Sequence, residues 1–107
     1  MTLGQRDELL RALRRGLQEA LGDRLERLVL YGSHARGQAR EGSDVDVLIV
    51  VRGGCDYGDL MQCTSHLVAA LSLAQDVVIS RAFVTSAQYE QEQSPFLLNV
   101  RREGIAA

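Results

Sequence analysis

Lysine is entirely absent from this sequence of 107 residues, and all twelve of its basic residues are arginines. A Walker A phosphate loop, a protein-kinase active site and Schiff-base chemistry each require a lysine, so the chain can build none of them. Tryptophan is absent too, and only three Tyr and two Phe are present. Together with a formal net charge of −2, this scarcity of aromatic residues weighs against direct nucleic-acid binding, which uses basic surfaces and stacking.

Cysteine is also scarce. Cys55 and Cys63 make no disulfide framework, which indicates free thiols in a reducing compartment. Cys63 and His66 have one spacing found in metal sites, but structural zinc takes about four ligands, so we expect no zinc. No apolar run reaches membrane-spanning length and the N-terminus lacks a signal-peptide core, so we expect a cytoplasmic protein with no membrane contact. No linker-like stretch divides residues 1–107, which predicts one domain.

Two kinds of apolar pattern alternate along the chain. Apolar residues at helical spacing predict two long helices, and two shorter helices follow near the C-terminus. Continuous apolar runs predict three strands. The predicted helices are Gln5–Leu21, Tyr57–Leu73, Ser86–Gln93 and Pro95–Arg102, and the predicted strands are Leu25–Tyr31, Val45–Val51 and Asp76–Ser80. Strands interleaved with amphipathic helices predict an α/β or α+β fold in which helices cover at least one sheet face.

Two acidic residues at the start of the second predicted strand carry the first chemical signal. Side chains alternate along a strand, so Asp44 and Asp46 project from one face, whereas Val45 and Val47 point into the core. Two carboxylates so close repel each other, and a divalent cation such as Mg²⁺ neutralises them. An acid pair that merely opens a strand in solvent is the competing interpretation.

A phosphate cradle is predicted just before this acid pair. Gly32 and Ser33 directly follow the first predicted strand, and ten residues separate Ser33 from Asp44. Glycine permits close backbone approach, local amides can line an anion site, and the serine hydroxyl can donate to a phosphate oxygen. Arg36, about one turn further on, can reach the same phosphates. An ordinary Gly-Ser turn is the alternative for this segment alone; cradle and acids together suit a nucleoside triphosphate with Mg²⁺.

A third carboxylate would complete a site for two metal ions. Asp76 is the candidate, because it opens the third predicted strand. If that strand lies beside the second one, three acids converge. Asp56 and Asp59 are rivals, but they lie at the start of the second long helix, where an acid is favoured for capping alone.

The segments Leu28–Gly37 and Gly42–Val50 resemble the signature of the DNA-polymerase-β-like nucleotidyltransferase superfamily, in which Gly-Ser is followed about ten residues later by Asp-x-Asp. Their Gly-Ser-x-Ala-Arg-Gly and Ser-Asp-x-Asp contexts resemble its minimal nucleotidyltransferase (MNT) branch. The tail Ser94–Ile105 is similar to the end of those small proteins. The resemblance implies a small mixed β-sheet with flanking helices, in which residues 1–107 form a single MNT domain.

The resemblance also implies a site and a reaction. Gly32 and Ser33 would hold the triphosphate of ATP, and Asp44 and Asp46 would bind Mg²⁺. Asp76 matches the third acid, which binds one of two Mg²⁺ ions and helps to activate an acceptor hydroxyl. AMP would pass from ATP to that hydroxyl, and pyrophosphate would leave.

Family members of this size imply a biological role as well. Small MNT proteins are typically antitoxins that adenylylate a tyrosine of a partner HEPN-domain toxin. Two alternatives remain: an MNT-fold antitoxin that neutralises its toxin by binding alone, and a small-molecule transferase of the aminoglycoside-modifying type. The lack of room for a substrate-binding domain favours a protein acceptor over a drug. A homo-oligomer is compatible with the sequence.

Overall fold

Leucine spacing and a strong N-terminal cap explain the first helix, α1 (Leu3–Leu21). The structure, a computed structural model, describes residues 1–54 and 56–107, so the prediction for Cys55 lies outside the described residues. Thr2 and Gln5 form a reciprocal capping box that satisfies two backbone amides at the start of α1. The helix ends at Leu21, as predicted, and Gly22 caps it with a φ of 56°. Its apolar stripe is buried, namely Leu9, Leu10, Leu13, Leu17 and Leu21.

Four strands form one mixed sheet in the order β3-β2-β1-β4. Their bounds are β1 (Leu25–Tyr31), β2 (Val45–Val51), β3 (Ile79–Thr85) and β4 (Ile105–Ala106). Strand β1 pairs antiparallel with both β2 and β4. Strands β2 and β3 are parallel and are connected by helix α2 (Tyr57–Gln75), a βαβ crossover. The small mixed α/β fold predicted from the sequence is therefore confirmed.

The two faces of the sheet differ in what covers them. On the packed face, defined by Val45, Val47, Ile49 and Val51 of β2, the side chains join α1 and α2 in the larger hydrophobic core. On the acid face, defined by Asp46, Leu48 and Val50 of β2, a smaller cluster includes Leu97 and Val100 of helix α4 (Pro95–Glu103). Helix α3 (Ser86–Gln91) precedes α4. The alternation predicted for β2 is thus observed, with Val45 and Val47 in the core.

The predicted bounds of the third strand are wrong. Strand β3 begins at Ile79, not at Asp76, because α2 continues to Gln75. Asp76 then ends α2 in the left-handed conformation (φ 52°, ψ 50°), and its amide donates to the carbonyl of Ser72. This is a C-cap geometry that Asp tolerates better than most residues.

The other predicted elements lie within two residues of their observed bounds. Strand β4 and a short 3₁₀ turn over Gly22–Arg24 were not predicted. Across residues 1–54 and 56–107, no helix combines the length and the apolar character needed to cross a membrane.

Candidate functional site

The acid pair lies where β1 ends and β2 begins. Pairing in the sheet places Asp46 beside Tyr31 of β1 on one side and beside Ser80 of β3 on the other. Asp46 is half-buried, whereas Asp44, one residue before β2, is exposed. Since residues two apart in an extended segment share a face, both carboxylates belong to the acid face. The sheet itself therefore holds the two acids together.

Its surroundings make the ionised form of Asp46 less favourable. Burial raises the pKa of Asp46, and the charge of Asp44 raises it further. His34 and Arg36 act in the opposite direction and lower that pKa, but less strongly. The pKa of the Tyr31 hydroxyl is raised as well, first by burial and then by the charge of Asp46. Burial and the neighbouring Asp44 thus both disfavour the ionised form of Asp46, and a bound cation would offset this.

A tight turn brings the chain against the Asp46 carboxylate. Gly32 has a φ of 76°, and a Cβ built on it would overlap a carboxylate oxygen of Asp46. The amides of Ala35 and Arg36 both donate to the Gly32 carbonyl, each at 3.1 Å. Any side chain at position 32 would therefore meet a steric clash as well as an unfavourable backbone conformation. Ser33, which follows this glycine, is half-buried.

Two further residues of this turn anchor it. The Arg36 guanidinium forms an ion pair with Glu103, the last residue of α4, at 3.5 Å, and its Nε donates to Gln38 at 3.1 Å. The His34 side chain is 9% exposed, and its Nε2 lies 3.4 Å from the backbone oxygen of Ser43. Arg36 lies near Asp46, as the phosphate-cradle prediction requires, but its guanidinium also pairs with Glu103 of α4.

Sequence reasoning missed the place of His34 in this site. His34 links the turn after β1 to Ser43, the residue just before Asp44, and its own carbonyl accepts a hydrogen bond from Arg6 of α1 at 3.3 Å. The available signal was a histidine between the small residues Ser33 and Ala35, in the polar segment that leads to the acid pair. We interpret His34 as a positioning residue, because it connects the two loops that carry the cradle and the acids.

The structure does not bring Asp76 into the acid pair. Asp76 is exposed at the end of α2 and lines a cavity of about 610 Å³ together with His34 and Ser43. Among residues 1–54 and 56–107, no three His, Cys, Asp or Glu side chains lie close enough together to hold one metal ion. The predicted convergence of three acids is therefore not observed.

The rival acids have structural roles. The Asp56 side chain accepts a hydrogen bond from the Asp59 amide at 3.2 Å and caps α2. Asp59 stands in the first turn of that helix, where a negative charge complements the helix dipole. The capping interpretation of these two residues is confirmed for Asp56 by its hydrogen bond.

The donor set at the acid face fits one Mg²⁺ ion. Mg²⁺ takes oxygen ligands in octahedral geometry and is commonly held by one or two carboxylates together with substrate phosphates. Asp44 and Asp46 supply those carboxylates, and the half-burial of Asp46 beside a second acid is the observation that indicates a cation there. The described part of the chain brings no third carboxylate to a second ion at this place.

The nucleotidyltransferase domain family matches residues 10–96 of the chain. Protein adenylyltransferase MntA of Thermococcus cleftensis is 32% identical over 79 residues, which are 74% of this chain and 78% of that protein. A Methanocaldococcus jannaschii protein that is provisionally named a protein adenylyltransferase is 44% identical over 73 residues, which are 68% and 73% of the two chains.

Solved structures share the fold. A toxin–antitoxin crystal structure with AMP-PNP superposes with a TM-score of 0.63 at 17% identity, covering 90% of this chain and 69% of that one. A structure provisionally described as a minimal nucleotidyltransferase has a TM-score of 0.55 at 30% identity and covers 92% of each chain.

Proposed function

Because the chain belongs to the nucleotidyltransferase domain family, we propose that it is an adenylyltransferase that moves AMP from ATP to the hydroxyl of an acceptor. One observation carries the proposal: the sheet and the Gly32 turn hold Asp44 and Asp46 side by side against the predicted cradle. In the reaction the acceptor oxygen attacks the α-phosphorus, the bond to the bridging oxygen breaks, and pyrophosphate leaves. The acceptor proton passes to solvent.

Each residue of the site has one proposed task. Asp44 and Asp46 hold Mg²⁺, which when bound neutralises phosphate charge and polarises the reacting phosphoryl group. Gly32 allows the triphosphate to approach the backbone, and the Ser33 hydroxyl donates to a phosphate oxygen. The Arg36 guanidinium pairs with the phosphates, exchanging part of its contact with Glu103 for them.

The acceptor we propose is a tyrosine of a HEPN-domain toxin, so that the protein acts as an antitoxin. The relatives named protein adenylyltransferases and the toxin–antitoxin structures of the same fold support this choice. The absence of lysine excludes a Walker A phosphate loop as another way for this chain to bind ATP. Neutralisation by binding alone is the alternative that the experiment must separate.

The test uses two labels on ATP. The chain is mixed with Mg²⁺ and a purified HEPN-domain toxin, with ATP labelled at either the α- or the γ-phosphate. AMP transfer puts the α-label on the HEPN protein and leaves the γ-label in pyrophosphate, and EDTA removes both signals. Incorporation of the γ-label would indicate a kinase instead. Suppression of the toxin without any incorporated label would support the binding-only alternative.

A further inference from the structure

The strand beside the acid pair offers no carboxylate to it. In parallel pairing, residues opposite each other share a face, and Ser80 of β3 is the partner of Asp46. The carbonyl of Val78 accepts from the Val45 amide at 2.8 Å, so the pairing extends back to the level of the first acid. Two and four residues further along β3, Ala82 and Val84 pack on the smaller hydrophobic cluster. A hydroxyl and two apolar side chains therefore occupy the acid-face positions of β3.

Nearby acids do not fill this gap. Asp76 caps α2 and lines the cavity that also holds Ser43. Glu103 is engaged by Arg36 at 3.5 Å and by Arg102 at 3.6 Å. Two divalent cations about 3.5–4 Å apart repel each other and need shared anionic ligands to stay together. Asp44 and Asp46 can hold one such cation with the phosphates of a nucleotide, and a second cation would have to share them, because the described residues bring no third carboxylate to this place.

We infer that this site holds a single divalent cation with its nucleotide, and that Ser80 occupies the position from which a second cation would be held. The inference rests on the proposed nucleotidyl transfer and concerns the number of cations in that site. It has a direct consequence: a carboxylate placed at position 80 creates a second cation site, because it points to the same face as Asp46 and lies beside it. Ser80 is exposed, so the sheet accommodates the larger side chain.

The experiment replaces Mg²⁺ by paramagnetic Mn²⁺ and the substrate by a non-hydrolysable ATP analogue. Two Mn²⁺ ions within about 4 Å couple magnetically and change the electron paramagnetic resonance spectrum, whereas one ion gives an isolated-ion spectrum. We expect one bound Mn²⁺ per chain with an isolated spectrum in the wild type, and two with a coupled spectrum in Ser80→Asp. Ala70→Asp is the matched control: it adds the same charge at an exposed position of α2, on the packed side of the sheet, and should behave as wild type.

Each result decides something. A coupled pair in the wild-type protein overturns the inference, and loss of that pair in Asp76→Asn would identify Asp76 as the missing ligand after all. A folded Ser80→Asp variant that still binds one ion overturns the assignment of position 80. If that variant does not fold, the wild-type spectrum alone still decides the number of ions. Absence of any protein-bound Mn²⁺–nucleotide complex would instead overturn the proposed function itself.

Discussion

The packed face and the acid face of the same sheet are built for different purposes. On the packed face, two helices of 19 residues each bury side chains completely, among them Leu9, Leu13 and Leu17. On the acid face, the nine-residue α4 covers one end and leaves the other end to Asp46 and its neighbours. Phe96, 42% exposed, closes only the border, with its ring edge-on to Tyr31 at 5.3 Å. The candidate chemistry thus resides on one side of the strand only, whereas buried cores lie on both sides, the larger one on the packed face.

The largest effect is expected on the acid face. Asp44→Asn removes a charged ligand of the proposed Mg²⁺ but keeps the size of the side chain. Because a metal ion contributes several kcal/mol of charge stabilisation in the transition state, AMP transfer should fall by about 10³-fold or more. Asp44 is exposed and makes no contribution to the core, so the melting temperature should be preserved. Labelled AMP incorporation measures the loss, with Asp59→Asn as the control that should keep full activity.

Near-wild-type transfer by Asp44→Asn would remove the acid pair from the mechanism. Loss of transfer together with loss of folding would show instead that the acid pair is also needed for the stability of the fold.

A substitution in the core on the packed face should lower the stability of the fold. Leu13→Ala leaves a cavity in the larger core, because Leu13 has no exposed surface. Substitutions of this kind lower the free energy of unfolding by about 2–5 kcal/mol. Leu98→Ala is the matched change on α4, where the side chain is 44% exposed, and it should cost less than about 0.5 kcal/mol. Urea denaturation followed by circular dichroism measures both, and equal costs would contradict the burial of Leu13 in the larger core.

A smaller effect is expected at the cradle. Ser33→Ala removes one hydrogen bond to a charged phosphate, which is worth roughly 1–3 kcal/mol of binding free energy. ATP affinity should therefore fall by a factor of about 5 to 150. Calorimetric titration with a non-hydrolysable ATP analogue measures it. Ser65→Ala, an exposed serine on α2, is the control, and unchanged affinity in Ser33→Ala would refute the role of this hydroxyl.

Local pattern was sufficient for the parts of the site that lie within one strand. The alternation of β2 predicted which face Asp46 and Val47 take. This is a property of a few adjacent residues, so no tertiary information was needed. The approach predicted at Gly32 was to a phosphate and stays a prediction, whereas the observed approach is to the Asp46 carboxylate.

The features that were predicted wrongly or missed depend on contacts between residues that are distant in the sequence. The start of β3 depends on where α2 is capped, and Asp76 caps it in a left-handed conformation that no apolar periodicity reveals. The neighbour of Asp46 on β3 depends on the strand register, which makes it Ser80 rather than an acid. Strand β4 has two residues and exists only through its pairing with Val29 and Leu30.

The smallest predicted effect is a change in the stability of the fold with pH, caused by Asp46 on the acid face. Burial and the charge of Asp44 raise the pKa of Asp46 above its ordinary value of 3.8. At pH values between 3.8 and the raised pKa of the native state, the native chain binds more protons than the unfolded chain. The associated stability is therefore fully present below pH 3.8 and is lost as the pH rises through the native pKa.

At neutral pH the ionised Asp46 consequently costs stability, and Asp46→Asn should raise the free energy of unfolding in EDTA. Solvent screening limits the gain to less than about 1 kcal/mol, because Asp46 is only half-buried. Below pH 3.8 both proteins carry a neutral side chain at position 46, so their denaturation midpoints in urea should converge. An Asn variant that is less stable at neutral pH, with a gap that widens as the pH rises, would mean that the native fold favours the charged carboxylate. In that case the acid pair would not require a cation to relieve it.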